Sequence, residues 1–159
     1  MKTIFLMMAI ENNNRAYQVD ENRGGALNYF FGTHRNLRIL VIDDDLDLLK
    51  ALSYKMMKKD AIVTTVESGI EALEIIKNNN FDLVFLDLKM PIMDGIDTFR
   101  QMIELNRGDY VVVMTGYQEI DMIDTIKNLN PYDFLEKPIK SETLTRVFNR
   151  RLEEVKNVN

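Results

Sequence analysis

Residues 37–45 read Leu37-Arg38-Ile39-Leu40-Val41-Ile42-Asp43-Asp44-Asp45, a short apolar run cut off by three consecutive acids. The run is too short for a helix and reads as a buried strand. Leu46, Leu49, Leu52 and Met56 follow at helical spacing. The same alternation then repeats toward the carboxyl end. Ala61 to Val66 predicts a second strand, and Ser68 with Glu71 forms a capping box that opens a helix through Ile70, Leu73 and Ile76. Phe81 to Leu86 predicts a third strand ending at Asp87, and Gly95 leads into a helix using Ile96, Phe99 and Ile103. Tyr110 to Met114 predicts a fourth strand ending at Thr115, with Ile120, Ile123 and Ile126 marking the next helix. Tyr132 to Leu135 predicts a short fifth strand before Lys137-Pro138, and Ser141 is expected to cap a last helix carrying Leu144, Val147, Phe148 and Leu152. Five strands alternating with five helices argue an α/β fold, a doubly wound parallel sheet covered on both faces. Ligands of such sheets bind beyond the carboxyl ends of the strands. The polar residues gather there: Asp43 and Asp44, then Asp87, Thr115 and Lys137.

Upstream of this pattern, residues 1–36 carry Asn12-Asn13-Asn14, Gly24-Gly25 and no sustained periodicity, so they read as a poorly ordered extension or linker. Within them Leu27, Tyr29, Phe30 and Phe31 form an apolar cluster suited to docking. Lys2 followed by Ile4 to Ile10 faintly resembles a secretion signal, but the apolar part is short and no small-residue cleavage site follows. The 159 residues suffice for one domain with a real core, and 46% hydrophobic with 28% charged residues is an ordinary globular composition. A net charge of −5 offers no general attraction to nucleic acid or to an anionic membrane. The chain has no cysteine, hence no disulfide framework and no thiolate metal site, which fits a cytoplasmic setting. No apolar run reaches the ~18 residues of a membrane span.

Three carboxylates brought together repel one another, and either one takes up a proton or a cation binds. All-oxygen ligands with room for water suit Mg²⁺. A lysine adds fixed positive charge, and a hydroxyl at the end of the fourth strand donates one hydrogen bond. Such groups can neutralise the oxygens of a transferring phosphoryl group, whose transfer is catalysed mainly by positioning and charge stabilisation. A carboxylate is a competent covalent acceptor.

Ile39 to Asp45, Leu86-Asp87-Leu88-Lys89-Met90-Pro91-Ile92-Met93-Asp94-Gly95, Met114-Thr115-Gly116 and Phe134-Leu135-Glu136-Lys137-Pro138 together resemble the receiver family of two-component response regulators, in order and in spacing, over residues 37–157. The resemblance is to the single-domain, chemotaxis-regulator type. It implies a flavodoxin-like sheet of order 2-1-3-4-5, a Mg²⁺ cofactor, and phosphoryl transfer from a sensor histidine kinase or a histidine phosphotransfer protein. Asp87 matches the phosphoacceptor. Asp43 and Asp44 match the acidic pair that holds the metal, with Asp44 as direct ligand, and the backbone carbonyl of Lys89 matches the main-chain ligand. Thr115 matches the switch hydroxyl, Lys137 the lysine that pairs with a phosphoryl oxygen, and Pro138 a cis-proline. Phe134 stands at the aromatic switch position, where many members have tyrosine, so recognition through a phenolic hydroxyl is not expected. Lys89 and Tyr117 occupy the two positions that tune hydrolysis in the family, and bulky Tyr117 is expected to shield the acyl phosphate from water.

The resemblance further implies a switch rather than an enzyme acting on other substrates. Its output would be a changed surface on the fourth helix, fifth strand and fifth helix that binds a target protein or a second copy. A relay intermediate, or the receiver part of a longer regulator, is the alternative. Asp45 and Asp47 read as helix N-terminal residues, Asp94-Gly95 as a turn, and Met90, Met93 and Met114 as packing residues. Lys58-Lys59 and Arg150-Arg151 read as solvated helix surface, and His34 as an exposed residue outside the domain. A haloacid-dehalogenase-like phosphatase would explain Asp43 and Asp45 but would leave Asp87 and Lys137-Pro138 without a role.

Overall fold

The structure is a computed structural model that describes residues 36–116 and 122–157. The cluster at residues 27–31, His34, Tyr117 and Ile120 lie outside the described residues. Strands β1 (Arg38–Ile42), β2 (Ile62–Val66), β3 (Leu83–Asp87), β4 (Val111–Thr115) and β5 (Asp133–Glu136) alternate with helices α1 (Leu46–Met57), α2 (Gly69–Asn78), α3 (Gly95–Glu104), α4 (Ile123–Lys127) and α5 (Ser141–Asn157). The strands form one five-stranded sheet, all parallel, in the order β2-β1-β3-β4-β5. This is the doubly wound topology expected.

The pleat divides the apolar residues between two layers. Ile39 and Val41, Leu83 and Phe85, and Val112 and Met114 pack with Leu49, Leu52 and Met56 of α1 and Leu144, Val147 and Phe148 of α5. Leu40 and Ile42, Val84 and Leu86, and Val111 and Val113 pack with Ala72, Leu73 and Ile76 of α2, Ile96, Phe99 and Met102 of α3, and Ile126 of α4. β3 and β4 are buried along their whole length, which is why they read as continuous apolar runs rather than alternating ones.

Helix starts follow the local chemistry. Asp45 accepts hydrogen bonds from the backbone N–H groups of Asp47 and Leu48, Ser68 from that of Glu71, and Asp94 from that of Asp97. Ser141 departs from expectation. It is the first residue of α5, and the Lys140 carbonyl accepts the first helical hydrogen bond, from the Leu144 N–H at 3.1 Å.

The basic pair near the carboxyl end also departs from the reading as solvated surface. Arg151 is 8% exposed. Its Nε donates to the Asp82 carbonyl at 2.8 Å, and its guanidinium lies 3.3 Å from the centre of the Tyr110 ring. Arg150 stacks on Tyr132 and donates to both its hydroxyl and its carbonyl, each at 3.0 Å. Guanidinium planes stack on aromatic faces and reach carbonyls with the same group, so an arginine can be buried where hydropathy alone places it in water.

Candidate functional site

The site is built by register. Ile42 pairs with Leu86, so the next residues, Asp43 and Asp87, leave adjacent strands side by side. Asp43 continues the parity of Ile39 and Val41, and Asp87 that of Leu83 and Phe85, so both carboxylates fall toward the α1 and α5 layer. Thr115 pairs with Glu136, and the Lys137 N–H donates to the Thr115 carbonyl at 2.8 Å, which delivers Lys137 to the same rim.

One carboxylate oxygen from each of Asp43, Asp44 and Asp87 lies within 4.8 Å of the other two. Asp43 is 0% exposed and Asp87 3%, whereas Asp44 is open to solvent. Lys137 Nζ bridges the two buried acids, 2.7 Å from Asp43 Oδ2 and 2.5 Å from Asp87 Oδ1. Two backbone N–H groups complete the cradle: that of Asp45 donates to Asp43 Oδ1 and that of Lys89 to Asp87 Oδ2, each at 2.9 Å. The groove between α2 and α3 and the groove beside α1 and β2 are lined by other residues.

Burial pushes the Asp87 carboxyl up to about 6. The Lys137 hydrogen bond and charge pull the other way, the Asp43 charge adds to the rise, and the Lys89 N–H opposes it. Burial works against the charged form of Lys137, but the hydrogen bonds and charges of Asp43 and Asp87 outweigh it and raise its pKa. Lys137 therefore stays cationic, and the pocket remains short of positive charge. Hard carboxylate oxygens at this separation, one of them exposed, fit a small divalent cation that keeps part of its water shell.

The remaining expected residues divide by strand face. Thr115 has the parity of Val111 and Val113, and Phe134, paired with Val113, packs against the same layer. Both therefore belong to the α4 side of the sheet, opposite the parity of the acids. The Thr115 hydroxyl donates to the Gly116 carbonyl at 3.3 Å. Phe134 is half-buried and the Lys89 side chain is exposed. The Lys137-Pro138 peptide is cis. Sequence reasoning did not single out Gly95 as part of the site. A Cβ on Gly95 would lie 2.2 Å from the Asp87 carbonyl oxygen and 2.7 Å from Leu88 Cα, so α3 begins directly against the backbone that carries Asp87. No periodicity signals such an approach; the glycine at the head of the helix is the sole sign of it.

A doubly wound parallel sheet with an acid triad and a lysine at its carboxyl rim places the chain among the α/β domains that carry a charged site beyond their strand ends. The family model of the response regulator receiver domain matches residues 39–149, and the chain belongs to that family. Sporulation initiation phosphotransferase F of Bacillus subtilis is 34% identical over 103 residues, covering 65% of this chain and 83% of that protein. The transcriptional regulatory protein GlrR of Escherichia coli is 30% identical over 122 residues, 77% of this chain, but the chain spans 28% of its length. A response regulator receiver domain protein from Clostridium thermocellum has a similar structure, with a TM-score of 0.70 and 27% identity over 77% of this chain and 99% of that one. The chain is thus a response-regulator receiver. Among the described residues no helix is long and apolar enough to cross a membrane.

Proposed function

We propose that residues 37–157 are a receiver domain in which Asp87 takes a phosphoryl group from the phosphohistidine of a sensor histidine kinase or a histidine phosphotransfer protein, with residues 1–36 as an extension. The observation that carries this reading is the bridging of Asp43 and Asp87 by Lys137 within an acid cluster on one rim of the sheet. In the transfer an Asp87 carboxylate oxygen forms a bond to phosphorus and the donor's N–P bond breaks. The electron pair of that bond stays on the imidazole, which leaves neutral when its other nitrogen carries a proton. Lys137, already at Asp87, turns to an incoming phosphoryl oxygen and offsets its charge. The Lys89 N–H holds the second Asp87 oxygen, which fixes the first for attack. Asp43, Asp44, Asp87 and the Lys89 carbonyl would hold a Mg²⁺ ion, which would supply further neutralisation of the phosphoryl oxygens.

Thr115 then exchanges the Gly116 carbonyl for a phosphoryl oxygen. Because Thr115 and Phe134 share the α4 side, that movement reads out on the α4, β5 and α5 surface, where a target protein or a second copy binds. Lys89 and Tyr117 set the lifetime of the acyl phosphate. The domain acts on itself and turns over no other substrate, and its kinase places it in the cytoplasm. Incubation with phosphoramidate and Mg²⁺ tests the reading by intact mass. Wild type should gain one phosphoryl group and Asp87→Asn none; equal labelling of both, or none of wild type, overturns it. The similarity to a phosphotransferase over 83% of its length favours a relay role as a second reading. In that case the phosphorylated chain passes its group back to a histidine phosphotransfer protein within seconds.

A further inference from the structure

We infer that Ile92 is a contact by which the protein phosphodonor is held and selected, an inference that rests on the phosphoacceptor reading of Asp87. Ile92 is 95% exposed, and the next most exposed large hydrophobic residue among those described, Tyr54, is 62% exposed. A single exposed aliphatic side chain is ordinary. Ile92, however, also stands at φ 71°, where β-branched residues are outliers. Among the described residues the other non-glycine positions at positive φ are Asp60, Asn106 and Asn130, polar types that tolerate this conformation. An asparagine or glycine would hold the same turn with less strain and better solvation. Neither packing nor turn formation therefore accounts for isoleucine here.

Its place in the fold supplies the reason. The turn is closed by the Gly95 N–H donating to the Leu88 carbonyl at 2.9 Å and the Met93 N–H to the Pro91 carbonyl at 2.8 Å. Gly95 abuts the Asp87 backbone, and Ile92 is three residues before it, which places Ile92 within about 11 Å of that contact. Asp87 is nearly buried, so a phosphohistidine reaches it only if the donor's surface comes down over this rim. Every such donor brings the same imidazole and phosphate, so the charged depression itself does not tell donors apart. Ile92 presents an apolar group at the edge of that footprint, where it leaves water only when a donor with an apolar depression beside its histidine is seated.

Phosphotransfer profiling tests this, with the autophosphorylated cytoplasmic portions of the histidine kinases of the source genome as donors. Ile92→Asn keeps the turn and removes the apolar group, and Ile92→Val retains most of it. For the best wild-type donor, Ile92→Asn should slow transfer at least ~10-fold and Ile92→Val by less than about threefold, with the phosphoramidate rate held within about twofold. Thermal unfolding of Ile92→Asn should be no lower than that of wild type, because strain is relieved. Unchanged transfer from the kinase, or an equal loss with kinase and phosphoramidate, overturns the inference. Failure of wild type to react with phosphoramidate instead overturns the phosphoacceptor reading beneath it.

Discussion

At Asp87, burial and the Asp43 charge oppose ionisation, and the lysine bridge offsets them incompletely. The carboxyl titrates near 6 in the folded chain against an ordinary value of 3.8. A raised carboxyl pKa means that the folded state binds more protons than the unfolded state between those values. The contribution of Asp87 to stability is therefore fully present below pH 3.8 and is lost as pH rises through about 6. At neutral pH and without divalent cation, Asp87→Asn should be more stable than wild type by about 1–3 kcal/mol in urea denaturation. The gain should vanish near pH 4, and a constant difference across that range would contradict the assigned cause. Millimolar Mg²⁺ should raise the unfolding temperature of wild type more than that of Asp87→Asn, because the cation binds the native acid cluster and the substitution removes one of its charges. Lys137→Met leaves the same two acids buried without their cation. It should cost roughly 2–4 kcal/mol at neutral pH and progressively less as pH falls toward 6, because without the lysine Asp87 takes up its proton above that value.

At the scale of elements, two glycines set how closely helices approach their neighbours. The Gly95 position at the head of α3 touches the Asp87 carbonyl, backbone that cannot swing aside. Gly95→Ala should therefore cost at least about 2 kcal/mol, and it should slow phosphoramidate labelling ~10-fold or more through displacement of Asp87. Gly69 of α2 meets Thr98 of α3, where a Cβ would lie 2.0 Å from Oγ1, itself bonded to the Asp94 carbonyl at 2.8 Å. Gly69→Ala should cost about 1–3 kcal/mol alone and markedly less in a Thr98→Ala background, since the clash is with one side-chain oxygen. A simple sum of the two single effects would refute that. These contacts mark the boundary of what periodicity conveys. Apolar spacing and the acids Asp45 and Asp94 were enough to place strands and helix starts, because those signals are local. Ser141 is the first residue of α5 rather than its cap, and the first helical carbonyl is that of Lys140. Strand order came from the resemblance rather than from periodicity. The division of Asp87 and Thr115 between opposite faces of the sheet needs the register as well.

Across the whole molecule, the two rims of the sheet carry different tasks. The carboxyl rim holds the acids and Lys137, whereas the amino rim is tied together by Arg151, which joins α5 to the residues that enter β3 and β4. Asp82 directly precedes β3 and Tyr110 directly precedes β4, and Arg151 bonds the carbonyl of one and covers the ring of the other. Asp82 in turn accepts from the Arg38 N–H at 2.8 Å, so the entry to β1 belongs to the same tie. The sequence shows a basic pair in a polar helix and no sign that one member is buried, because the partners are a carbonyl and a ring 69 and 41 residues away. Arg151→Met keeps the bulk but loses the charged hydrogen bond and the stacking. It should cost about 2–3 kcal/mol, well above the cost of Arg146→Ala, whose ion pair with Asp133 is exposed on the arginine side. The folded fraction of Arg151→Met should nevertheless take phosphoryl from phosphoramidate at the wild-type rate, because the sheet separates the damage from Asp87. A lower rate per folded molecule would show instead that the amino rim helps to position the site.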